Sequence, residues 1–124
     1  ASFGSVAAAE ILDLSEASAD LKSFKGCVVG DEKVYLVPDE TGIVVGVLGD
    51  WSSGTLSAVT SLNLLPIDSS LSSLRGGFVE NGYLYLASRY DDQYSYTGKV
   101  VKIWEWDFTV SSILDLSAED ASYQ

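Results

Sequence analysis

RGGFVENGYLYLAS, residues 75–88, is the stretch whose reading decides the fold. Asn81 and Gly82 stand between two arms of aromatic and branched residues. An Asn-Gly pair suits a type I′ turn, because both of its central residues take positive φ. The stretch therefore reads as a β-hairpin. Fifty positions earlier, from Arg75 back to Lys25, the pattern recurs without a gap. Lys25, Gly26, Val29, Val34, Tyr35 and Leu36 fall on Arg75, Gly76, Val79, Leu84, Tyr85 and Leu86. GCVVGDEKVYLVPD, residues 26–39, is then a second hairpin, built around GDEK.

Outward from the hairpins the correspondence continues with small shifts. GIVVGVLGDW (residues 42–51) resembles GKVVKIWEWD (residues 98–107), both β-branched and aromatic enough for a further strand. ILDLS occurs at residues 11–15 and again at 113–117, and SLNL at 61–64 stands between them. The period of two in ILDL predicts a short strand at each unit boundary. SEASADLKSF is expected to be a turn or a single helical turn capped by Ser15, and DWSSGTLSAVT and DFTVSS are expected to be connectors. The expected organisation is a tail or added strand over residues 1–10, repeat units over 11–60 and 61–112, and a boundary strand with a tail over 113–124. Four short antiparallel strands recurring every 50 residues or so predict an all-β protein of two four-stranded, propeller-blade-like repeats.

These residues carry a resemblance. LDLS, DLKSFKGCVVGDEKVYLVP and GIVVGVL, with LSSLRGGFVENGYLYLA and GKVVKIWEWDFTVSSILDLS, resemble the β-propeller-like repeats of large algal and protist proteins. In those repeats LDL, GGF, YLYLVP and GKVV segments recur. The resemblance runs from about Ile11 to the end and implies a structural scaffold with no catalytic residues. The first unit departs from the pattern at Cys27 and Val28, where the second has Gly77 and Phe78. It departs again at Asp31 to Lys33, which lack the turn glycine.

Two units do not close a ring, since propellers take four to eight blades. Completion is expected through oligomerisation, for example three copies making six blades, through packing of the two units as a β-sandwich, or through an open filament templated by unpaired strand edges. The residue 1–10 segment would serve as a strand for a neighbour.

Composition narrows the chemistry. The 124 residues suit one domain with a core, given 47% hydrophobic residues. No apolar run approaches the roughly 18 residues of a membrane span. Eighteen acidic residues against seven basic ones give a net charge of −11, which argues against nucleic acid as a partner. Histidine is absent, removing the usual general base and metal ligand. A single cysteine, Cys27, allows neither an intrachain disulfide nor a Cys-based zinc site, and reads as a small buried hydrophobe. Neither a cofactor nor a metal is expected. Methionine is also absent, even at position 1, so the chain reads as a processed or fragmentary product with an extracellular or organelle-lumen setting.

The candidate interaction residues are Tyr90, Asp91, Asp92, Tyr94 and Tyr96 in the second unit's long loop, with Trp104 and Trp106 on the strand after it. Aromatic faces with polar edges suit either packing against a protein partner or stacking on a sugar ring. The expected function is thus a non-enzymatic structural or assembly module, forming a homo-oligomer or filament or docking on partners through β edges and aromatics. A carbohydrate-binding module and an accessory subunit of a larger complex are the alternatives. Calcium at Asp91 and Asp92 with Asp39 and Glu40 lacks the spaced ligand loop, and Glu105 with Asp107 is a nominal acid–base pair of a kind common in any acidic β protein.

Overall fold

The computed structural model describes residues 13–14, 18–50, 55–90 and 97–116. They form two four-stranded antiparallel sheets with the same simple meander. The first sheet holds β1 (Phe24–Val29), β2 (Lys33–Pro38), β3 (Ile43–Asp50) and β4 (Thr55–Asn63). The second holds β5 (Ser73–Glu80), β6 (Tyr83–Tyr90), β7 (Lys99–Trp104) and β8 (Thr109–Asp115). The all-β expectation holds. Among the described residues no helix is long and apolar enough to cross a membrane.

The repeat is visible in the ladders, register by register. Val29↔Val34 and Cys27↔Leu36 in the first sheet correspond to Val79↔Leu84 and Gly77↔Leu86 in the second. Leu36↔Val45 corresponds to Leu86↔Val101. Ile43↔Asn63 corresponds to Lys99↔Asp115. Asn81 and Gly82 both have positive φ, at 53° and 81°, so the Asn-Gly turn is of the expected primed kind. In the first unit neither Asp31 nor Glu32 takes positive φ, and the turn closes through the Gly30 N–H donating to the Lys33 carbonyl.

Strand assignment departs from the sequence reading at the boundaries. Thr55–Asn63 and Thr109–Asp115 are continuous strands, so residues 55–60 and 109–112 of the stretches read as connectors belong to β4 and β8. LNL thus closes the first sheet instead of opening a strand of the second. The polar Thr and Ser residues mimic a loop composition, yet their backbone groups are paired along β3 and β7. Of the first ILDLS copy, only Asp13 and Leu14 lie within the described residues. Ile11, Leu12, Ser15 and the proposed added strand at residues 1–10 lie outside them.

The segment before each sheet is also repeated. Asp68 N–H donates to the Leu64 carbonyl and Leu71 N–H to that of Asp68; Ser18 N–H donates to Leu14 and Leu21 N–H to Ser18 in the same way. The linker between the sheets is tied to the first by Leu64 N–H on the Gly42 carbonyl and by Gly42 N–H on the Ser72 carbonyl. It is tied to the second by Lys99 Nζ, 2.6 Å from Asp68 Oδ2. Burial pushes the Asp68 carboxyl up. The hydrogen bonds from Lys99 and Ser70, with the Lys99 charge, outweigh that and leave it below its usual range.

The core lies between the sheets and joins opposite faces of equivalent units. The first sheet contributes Val28, Tyr35, Val37 and Val44, which lie on one face by the period of two, called here the Tyr35 face. The second contributes Leu74, Leu84, Leu86, Val101 and Ile103, on the face that carries Leu86. Leu86 is the counterpart of Leu36, which lies on the other side of the first sheet with Val45 and Val47, packed against Leu14 and Leu21. The linker leucines Leu64 and Leu71 fill the junction and are fully buried. Each such leucine removed from water is worth roughly 2–3 kcal/mol.

Candidate interaction surface

The face of the second sheet turned away from the core carries Phe78, Tyr83, Tyr85, Lys102, Trp104 and Leu114. The cross-strand pairs Phe78↔Tyr85, Tyr85↔Lys102 and Tyr83↔Trp104 place their side chains together. Phe78 stacks on Tyr85 with ring centroids 4.9 Å apart, and Tyr83 lies 4.6 Å from Trp104. Lys102 Nζ stands 4.0 Å above the Tyr83 ring and 5.8 Å from that of Tyr85. The result is an aromatic cluster on one sheet face with one cation set over its tyrosines.

Its partial exposure contrasts with the same face of the first sheet. Phe78 is 54% exposed where its counterpart Val28 is 7% exposed, and Leu114 is 54% exposed where Leu62 packs into the core. Tyr85 is half-buried where Tyr35 is 1% exposed. Apolar and aromatic side chains left open on one sheet face make it the candidate interaction surface.

The expected aromatic cluster is split. Tyr90 ends β6, with the Arg89 guanidinium 5.1 Å from its ring centroid, whereas Trp104 pairs with Tyr83 at the start of β6. Seven residues of strand separate the two ends of β6, about 23 Å at the usual rise. Asp91, Asp92, Tyr94 and Tyr96 lie outside the described residues. Trp104 and Trp106 do not share a strand face, because β7 ends at Trp104 and Trp106 lies in the turn that follows. Phe78, Tyr83, Tyr85, Lys102 and Leu114 escape a reading by loops. The signal that reveals them is their register against Val28, Lys33, Tyr35, Gly46 and Leu62.

Trp106, 77% exposed, instead borders a cleft of about 390 Å³ at the junction, with Asp31, Glu32, Lys33, Tyr35 and Glu105. Glu105 and Asp107 belong to the turn as well and are not adjacent strand residues. Glu105 Oε1 accepts a 2.8 Å hydrogen bond from the Tyr35 hydroxyl, and Asp107 Oδ1 accepts one from Thr109. Burial first, then this bond and the charges of Glu105 and Asp31, push the Tyr35 phenol up. At the opposite end of the sheets, Asp39 Oδ1 faces Arg89 at 3.8 Å and Lys25 at 3.9 Å, while Glu40 accepts from Ser23. Two cations already occupy that carboxylate's surroundings. Among the described residues no three potential ligand side chains gather as a metal site. Cys27 is exposed on β1, not buried as its residue type suggested, because its face of this edge strand is left uncovered there.

Comparison with protein-family models, with curated proteins and with solved structures returned no match.

Proposed function

We propose that this protein is a non-enzymatic assembly module, a pair of propeller-blade-like units that docks on protein through the aromatic face of its second sheet. The observation that supports the reading is the contrast between Phe78 and Leu114, bare, and their counterparts Val28 and Leu62, packed. In the first unit the second sheet and the linker cover this face, and among the described residues nothing covers Phe78 and Leu114 in the same way. Tyr, Trp and Phe are the residues enriched at the centres of protein interfaces. Phe78→Asp is expected to weaken concentration-dependent association in light scattering, with Trp106→Ala leaving it unchanged. The reverse pattern would sink the reading.

A second reading is favoured by the junction cleft. An exposed Trp106 ring beside carboxylates and Lys33 suits stacking on a sugar and bonding of its hydroxyls. Under that reading Trp106→Ala abolishes a glycan-induced change in tryptophan fluorescence, and Trp104→Ala leaves binding of the glycan in place.

A further inference from the structure

We infer that the occupant of the Tyr85 face is the first sheet of a second copy of this chain, joined head to tail. The inference rests on the docking reading above and adds to it the partner and the polarity.

The chain itself shows what covers this kind of face. The Tyr35 face of the first sheet is buried against the Leu86 face of the second together with the preceding linker, through Leu64 and Leu71. By the shared registers, a Tyr85 face therefore fits a surface composed of a Leu36 face and its preceding linker. The first unit presents such a surface. Val45 and Val47 are already buried there against Leu14 and Leu21, the counterparts of Leu64 and Leu71, and the part left open to a second copy is Val34 and Leu36, half-buried, with exposed Cys27. Two backbone bonds recur at equivalent places, Ser18 to Leu14 and Leu21 to Ser18 in the first linker as Asp68 to Leu64 and Leu71 to Asp68 in the second. Val29 stands at its edge, 69% exposed, whereas its counterpart Val79 packs against the junction core. The module thus shows a bare head at one end and a matching tail at the other.

Charge and backbone agree with that polarity. Lys102 is the cation of the head. The linker bordering the tail carries Asp13 and Asp20 against Lys22. Leu116 N–H donates to the Gly98 carbonyl, as Leu64 does to Gly42. Gly42 N–H donates in turn to Ser72 of the following linker. Across the joint between copies, the corresponding bond runs from Gly98 N–H to the Lys22 carbonyl of the second copy. A joint between two different surfaces propagates, giving a ring if the rotation closes and a filament if it does not. A symmetric dimer through two Tyr85 faces would leave the tail unused and would set Lys102 near its own copy.

Complementation by surface variants tests this. Wild-type chain in sedimentation equilibrium is expected to rise above its 13.3 kDa monomer mass as concentration increases. Phe78→Asp, which spoils the head, and Val29→Asp, which spoils the tail, are each expected to shift the association midpoint by about tenfold or more. Mixed in equal amounts they form a dimer that grows no further, because one intact head meets one intact tail. Unchanged thermal midpoints show that the variants remain folded, and Lys102→Glu replaces Phe78→Asp if the latter is not. Loss with Phe78→Asp but none with Val29→Asp, or no dimer on mixing, overturns the head-to-tail joint while leaving the docking face standing. Wild-type chain that stays at 13.3 kDa to its solubility limit overturns the second copy as occupant. Association that is indifferent to Phe78→Asp and Lys102→Glu alike overturns the docking reading itself.

Discussion

At Tyr35 the two sheets are tied by a single phenol. Its ring lies 5.8 Å from that of Phe108 and its hydroxyl donates to Glu105, so one residue of β2 contacts the β7–β8 turn in two ways. Phe108 takes a φ of 55°, unusual for a bulky residue and unfavourable by roughly 1–2 kcal/mol, and burial of its ring offsets this. Tyr35→Phe keeps the ring and loses a bond to a charged acceptor, with an expected cost of about 1.5–3 kcal/mol in urea unfolding at neutral pH. The phenol is raised in the folded state. Its contribution is therefore fully present below about pH 10, the ordinary tyrosine value, and is lost as pH rises through the folded-state value. The wild-type chain is expected to lose more stability than Tyr35→Phe on that alkaline limb, and equal slopes would refute the assignment. Sequence shows Tyr35 and Tyr85 as equivalent. Only the fold makes the first a buried tie and the second part of an aromatic cluster.

At the scale of elements, the hairpin and the turns were the most legible parts. Asn81-Gly82 predicts its own conformation because few residues accept two positive φ values in succession. Gly82 has a second constraint in the structure, since a β-carbon there would lie 2.9 Å from the Trp104 ring. Gly82→Ala is expected to cost about 1–3 kcal/mol through strained φ and displacement of that ring, read as a lower urea midpoint together with a change in tryptophan emission. A lower midpoint with unaltered emission would remove the ring from the explanation. The fourth strand of each sheet was less legible. TLSAVTSLN and TVSSILD mix polar and apolar residues without clean alternation, and pairing with β3 and β7 decides their state. Trp106 was placed on a strand for the same reason. EWDF continues the composition of β7, but Phe108 N–H donates to the Trp104 carbonyl and turns the chain back.

For the whole molecule, the shared core predicts a single cooperative unit. Leu64 and Leu71 belong to neither sheet and fill the space between them, so far-UV circular dichroism and tryptophan fluorescence are expected to report one coincident unfolding transition. Leu71→Ala opens a cavity in that junction and is expected to cost about 2–5 kcal/mol. Leu114→Ala on the bare face is expected to fall within about 0.5 kcal/mol in the monomer. Comparable losses at both positions would mean that the second sheet's outer face is not bare. The sequence by itself determined the repeat, the hairpins and the all-β class, because period-two patterning and turn chemistry act within a few residues. It also excluded the chemistries that need histidine or paired cysteines. Only the tertiary structure decided which face of each sheet is covered, since YLYL offers an apolar or aromatic side chain on both. That choice depends on which neighbouring sheet removes a face from water, and it left Leu84 and Leu86 inside and Phe78, Tyr83 and Tyr85 partly in solvent.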